Sequence, residues 1–308
     1  MVGLGTLPGG PPRTMARGVS ADGNVIVGYG DTASGFEAFR WTPGGGMAGM
    51  GYLPGGSGYS AAEGVSADGS VVVGRSNIAS GGEAFRWTAG DGMVGLGELP
   101  GGSSFSEANA VSSDGSKVVG ASGSTLGTEA FMWSSSEGMI GLGDLPGGIF
   151  RSSARAMSSD GSVVIGTSES NIGSEAFRWT EDGGMVGLGD LPGGVFGSVA
   201  NDVSADGSVV VGMSIFNGAF IWDAVNGMRP LQDVLENDYG IDLTGWELAG
   251  ANGISADGLT IVGHGYHTFD VGGTKTEGWI VNLPEPALLP LLCLSGFLMT
   301  RKRHGMRR

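Results

Sequence analysis

Ala62-Glu63-Gly64-Val65-Ser66-Ala67-Asp68-Gly69-Ser70-Val71-Val72-Val73-Gly74 decides the fold. A short strand is expected over residues 63–66 and a second over 70–74, joined by Ala67-Asp68-Gly69-Ser70. Asp-Gly tolerates the positive φ that a tight hairpin turn requires. The unbroken run Val71-Val72-Val73 suits a strand buried on both faces rather than one with a wet face. Downstream, Glu83-Ala84-Phe85-Arg86-Trp87 places Phe85 and Trp87 on one face at period two. Met93-Val94-Gly95-Leu96-Gly97 reads as a fourth strand, ended by Leu99-Pro100-Gly101-Gly102. The proline fixes the entry of that turn and the glycine takes its positive-φ exit.

This four-strand unit recurs. Leu-Pro-Gly-Gly begins at Leu7, Leu53, Leu99, Leu145 and Leu191, a step of 46 residues. Ser-x-Asp-Gly sets Asp22, Asp68, Asp114, Asp160 and Asp206 at the same step, with Asp257 a further 51 on. Glu-Ala-Phe-x-Trp begins at Glu37, Glu83, Glu129 and Glu175. Gly218-Ala219-Phe220-Ile221-Trp222 and Glu277-Gly278-Trp279 are its degraded fifth and sixth copies. Six such units point to an all-β repeat propeller; a β-solenoid is the alternative, although its coils are roughly half as long. The last unit has strands near 252–255, 260–263 and 278–281 and lacks a fourth, which Met1-Val2-Gly3-Leu4-Gly5 supplies. The expected architecture is therefore six four-stranded blades closed by the N-terminal strand. Met1 falls in line with Met47, Met93, Met139 and Met185, and no leader segment precedes it. The chain thus starts inside a repeat, and any natural sequence upstream of Met1 would raise the blade count above six. Between units five and six, Leu231, Val234 and Leu235 have helical spacing, stopped by Gly240, so a short helix is expected there.

Composition agrees with a packed repeat protein. Glycine supplies 63 of 308 residues, yet 40% are hydrophobic, so glycine marks turns and not disorder. Up to Leu283 the chain carries 11 Lys/Arg against 30 Asp/Glu, which argues against a nucleic-acid partner. The single cysteine, Cys293, leaves this body without disulfides or a thiol nucleophile.

After Leu283 the chain changes character. Pro284-Glu285-Pro286 is followed by an apolar run over 287–300 and by the basic cluster Arg301, Lys302, Arg303, Arg307 and Arg308. A short hydrophobic helix is expected, roughly 21 Å long against a hydrocarbon core of ~30 Å. The basic end predicts a cytoplasmic C-terminus, with the acidic body on the outer side.

Two family resemblances follow from these residues. The tail resembles the PEP-CTERM sorting signal, which implies processing by an exosortase-type membrane enzyme and export to the cell surface or exopolysaccharide matrix. Residues 1–283 resemble the HAF family of probable extracellular repeats, through Glu-Ala-Phe-x-Trp and the Ser-x-Asp-Gly turn. Two domains result, a repeat domain over 1–283 and a sorting tail over 284–308. Neither resemblance implies a reaction.

The chemistry of the body is sparse. Each Ser-x-Asp-Gly turn offers one carboxylate, whereas calcium loops converge several oxygens, so no metal or cofactor is expected. The repeated Glu37, Glu83, Glu129 and Glu175 read as structural, because one catalytic site needs one arrangement. His264 and His267, near Asp270, stand three apart, which on a strand turns their rings to opposite faces. Tyr52, Tyr59, Phe105, Phe150 and Phe196 follow or flank the Leu-Pro-Gly-Gly turns and are candidates for a ligand rim. The expected role is non-catalytic binding or structure at the cell surface, with extracellular polysaccharide or matrix proteins as partners. The alternative, a secreted polysaccharide hydrolase or lyase, needs an asymmetric polar cluster at a channel mouth, and none stands out in the sequence.

Overall fold

Each Ser-x-Asp-Gly stretch closes a hairpin by its own side chains. In the computed structural model, which describes residues 3–269 and 273–284, Ser66 Oγ donates to Asp68 Oδ1 at 2.7 Å. The same Oγ accepts the Val71 N–H at 3.0 Å. Gly69 sits at φ +72°, and a Cβ there would lie 2.4 Å from a Val25 methyl, so both backbone and space demand glycine.

The strands fall into six successive antiparallel groups, spanning residues 9–49, 60–95, 106–141, 147–187, 198–230 and 246–282, here called sheets one to six. Among the described residues the first five have four strands in sequence order and the sixth has three. Sheets three and four are joined by one parallel pair, Thr128 with Arg151. The result is all-β and propeller-like, with one short helix among the described residues, Leu231–Asn237. Separate antiparallel meanders replace the continuous parallel ladders that a solenoid would require.

Apolar layers alternate with the sheets. Val72 and Phe85 pack with Val25, Val27 and Ala38 of sheet one, while Val71 and Val73 pack with Val118 and Phe131 of sheet three. The β-branched run is thus buried on both faces, as its sequence requires. Each fully buried aromatic or aliphatic side chain contributes about 1.5–3 kcal/mol. Backbone bonds link the turns of neighbouring sheets, from Ala21 N–H to the Ala67 carbonyl through to Ala205 N–H to the Ala256 carbonyl. The helix lays Leu231, Val234 and Leu235 into the core between sheets five and six.

Two expectations change. Strands extend beyond the apolar motifs: the first pair of sheet two runs Ser60–Val65 and Val71–Ile78, because backbone pairing continues through the flanking Ser, Ala and Arg residues. Among the described residues, the N-terminal segment does not complete sheet six. Residues 3–8 form no strand, and Leu7 is buried beside Gly30 of sheet one, which ties the segment to the sheet that follows it. The expected C-terminal helix, Glu285, Pro286 and the basic cluster lie outside the described residues. No helix among those described is long and apolar enough to cross a membrane.

Candidate functional site

The first strand of every sheet carries a β-bulge at one repeat position. Pairing skips one residue between Ala62 and Gly64, between Ala108 and Ala110, and at the matching place in the other four sheets. The skipped residues are Arg17, Glu63, Asn109, Arg155, Asn201 and Asn252. All six line one central cavity of about 570 Å³. A bulge re-aims the side chain of its extra residue, and here it turns six side chains into the channel.

The ring is asymmetric. Arg17 Nε lies 3.5 Å from Glu63 Oε2. Burial pushes the Glu63 carboxyl above its usual range, with Arg17 opposing and Glu107 adding to the rise. Asn109 and Asn201 donate across to the Ala154 and Ala251 carbonyls of the next sheet, at 2.7 and 2.9 Å. His264 Nδ1 is 3.1 Å from Asn252 Oδ1 and also faces the channel. A side opening of about 440 Å³ between sheets three and four connects through Glu107, Ser153 and Arg155, and is walled by Phe105 and Arg151.

On the face opposite the Asp-Gly turns, aromatic rings and arginines form a continuous strip across sheets one to three. Tyr29 meets Phe36 edge-on at 5.7 Å, and Phe36 meets Tyr59 at 6.2 Å. Arg17 lies over Tyr29 and Arg13 over Phe36, at 5.5 and 5.8 Å. Arg75 bridges Tyr59 and Phe105, 5.6 and 5.4 Å from their ring centres. Arg13 is held by Asp31, with Nε 2.7 Å from a buried carboxylate. All four rings are half-buried, so each keeps an accessible edge or face. A second cluster stands on sheet six: His267 stacks on Trp246 at 4.4 Å and touches Phe269, over which Lys275 sits at 5.4 Å.

Of the expected rim residues, the structure brings Tyr59 and Phe105 together through Arg75. Tyr52 sits apart in a shallow depression with Leu7, Pro8 and Glu37. Phe150 and Phe196 lie against Gly127 and Gly173 of the preceding sheet, outside the strip. His264 and His267 point to opposite faces, as their spacing requires; Asp270 is outside the described residues. The repeated glutamates are structural: the Oε1 of Glu37, Glu83, Glu129 and Glu175 accepts the N–H of Gly51, Gly97, Gly143 and Gly189.

Sequence reasoning missed the ring and half of the strip. The signal for the ring was present as variation at one fixed position. Ala16, Ala62, Ala108, Ala154, Ala200 and Ala251 precede it without change, while the ring position alternates among Arg, Glu and Asn. Tyr29, Phe36 and the arginines carried no such mark.

No family model matches the chain, and no curated protein matches it. Solved structures do. A protein assigned as TolB from Agrobacterium tumefaciens aligns with a TM-score of 0.51 at 14% identity, over 88% of this chain and 91% of that one. TolB from Acinetobacter baumannii aligns at 0.49 and 14% identity over 68% of this chain, which spans about half (52%) of that protein. A chain of a nidogen/laminin complex aligns at 0.46 and 10% identity, over 80% of this chain and 86% of that one. At such identity the first likeness bears on fold alone.

Proposed function

We propose that this chain is an exported, non-catalytic binding protein whose loop face holds an extended extracellular polysaccharide. The observation that carries this reading is the strip Tyr29–Phe36–Tyr59–Arg75–Phe105, with Arg13 and Arg17 beside it. Sugar rings present apolar C–H faces that stack on aromatic rings, and guanidinium groups donate to hydroxyls and pair with carboxylates. A row of such groups across three sheets suits several consecutive sugars, and three arginines favour a polymer carrying uronic or other acidic units. Matrix proteins are the second partner class for the same face.

The six sheets serve in this reading as six blades of a HAF-type repeat domain over 1–283. The tail over 284–308 serves as a PEP-CTERM-like sorting segment: Pro284, Glu285 and Pro286 meet an exosortase-type enzyme, and Arg301, Lys302, Arg303, Arg307 and Arg308 stay on the cytoplasmic side until processing. Fractionation of cells expressing the full chain and a version ending at Leu283 tests the sorting part. Only the full chain reaches the surface or matrix if it holds; two soluble cytoplasmic products contradict it. A glycan array tests the binding part, and signal no higher than background on acidic polymers defeats it.

One observation favours a hydrolytic second reading. Glu63, its carboxyl raised by burial, shares the channel with Glu107, the two-carboxylate composition glycosidases use. Turnover of a polysaccharide that is lost in Glu63→Gln, with binding retained, would establish it.

A further inference from the structure

We infer that the side opening at sheet four is a pocket for one carboxylated sugar unit, seated with its ring on Phe105 and its carboxylate on Arg151. The class of ligand rests on the polysaccharide reading above; the place rests on how the repeats fill successive gaps. Between sheets one and two, Tyr29 and Phe36 fill the gap and meet Tyr59. Between sheets two and three, Arg75 fills it, its guanidinium 5.6 Å from the Tyr59 ring centre and 5.4 Å from that of Phe105. One and two repeats after Arg75 stand Ala121 and Thr167, and two and three repeats after Phe36 stand Thr128 and Ser174. These short side chains do not reach across. The opening of about 440 Å³ therefore runs from Phe105 past the first strand of sheet four to Val199 of sheet five. Small-ligand sites occupy about 300–1,000 Å³, so one sugar unit is a suitable size.

The walls define the occupant. In the gap before, a cation lies between two aromatic rings, Tyr59 and Phe105. Here the two walls one repeat apart are an aromatic ring and a cation, Phe105 and Arg151. The complement of that pair has an apolar face for the ring and an anionic group for the guanidinium. Arg13 and Arg17 in the strip are already paired with Asp31 and Glu63. Among the described residues Arg151 forms no ion pair, and neither does Arg155, which borders the same opening.

Charge alone does not suffice for this pocket. Glu107 and Glu169 border it beside the two arginines, so a bare anion gains little net attraction. Carboxylates accept from hydroxyls, and the Ser153 hydroxyl both donates and accepts, so the ligand must bring hydroxyl groups as well as its own carboxylate. A pyranose uronate has all three parts: an apolar C–H face, ring hydroxyls and one carboxylate. Phe105 is also the last ring of the aromatic strip, so a polymer following the strip reaches the opening at that ring.

Ligand-observed NMR titration of the full chain in mild detergent decides this, with the methyl glycosides of glucuronate, galacturonate and mannuronate as probes. At least one should bind, and its uncharged parent glycoside should bind at least tenfold more weakly. Arg151→Ala should weaken the uronide at least tenfold with circular dichroism unchanged. Ala121→Met, which places in the opening the residue that sheet five carries at this position as Met213, should do the same. Tyr29→Ala with Phe36→Ala should leave the uronide affinity unchanged, because those rings lie two sheets away. Binding of none of the three uronides overturns the proposal, as does equal affinity in Arg151→Ala, or displacement by sulfate or benzoate at the concentration at which the uronide itself binds. The polymer reading fails separately: an acidic polymer that does not bind, while the uronide still binds through Arg151, removes the strip as a polysaccharide surface and leaves the pocket standing.

Discussion

The two faces of the molecule are built from the same six repeats and treat them in opposite ways. On the turn face, Ser-x-Asp-Gly is repeated six times with the same hydrogen bonds, from Ser20 with Asp22 to Ser255 with Asp257. In each turn the serine hydroxyl and one carboxylate oxygen are spent on holding that turn's own hairpin. On the loop face the repeats diverge: Arg13, Tyr59, Phe105 and Arg151 occupy one repeat position, and aromatic rings gather on sheets one to three and on sheet six. Where the repeats agree, the residues serve folding. Where they disagree, the residues are free to serve recognition.

The largest effect that would break this comparison belongs to the turn face. Gly69→Val puts a side chain at φ +72° and against Val25, so unfolding by urea should show a loss of about 2 kcal/mol or more. Next comes Ser66→Ala, which leaves the buried Val71 N–H without its acceptor and should cost about 1–2 kcal/mol in the same measurement.

A smaller effect is expected from acid. Hydrogen bonds from Ser20, Ser66 and Ser112 hold the Asp22, Asp68 and Asp114 carboxyls at about 2, and bonds from Ser162 and Ser158 do the same for Asp160. Their folded values lie below the ordinary 3.8, so this stabilisation is complete above about pH 4 and is lost as pH falls through 2. Glu63, shifted upward, works in the opposite sense nearer its ordinary 4.5. Melting temperature should therefore fall between pH 4 and pH 2, and Asp68→Asn, Asp114→Asn and Asp160→Asn together should flatten that fall.

The smallest stability effect sharpens the comparison from the other side. Arg17→Ala, in the channel ring and over Tyr29 of the strip, should change stability by no more than about 1 kcal/mol by urea unfolding, because its ion pair with Glu63 is largely solvated. It should nonetheless alter the affinity for an acidic oligosaccharide measured in parallel.

How much of this was legible in the sequence follows the same division. The hairpin over Ser66 to Gly74, the double-faced burial of Val71–Val72–Val73, and the helix at Leu231 could be read because local propensity and burial agree there. The N-terminal closure was misread because four-strand counting says nothing about where Leu7 packs. The bulges escaped because they are a property of pairing between strands, and a single strand such as Ala62-Glu63-Gly64 does not display its register. Tyr59 and Phe105 were found by their place after a turn, but Tyr29 and Phe36 join them only through the fold.

The most direct test of the central claim is calorimetric titration of an acidic oligosaccharide into three proteins: the unaltered chain, Tyr59→Ala with Phe105→Ala, and the turn-face variant Ser208→Ala. Recognition through the loop face predicts at least tenfold weaker binding for the double variant and unchanged binding for Ser208→Ala. Equal affinities in all three would contradict it.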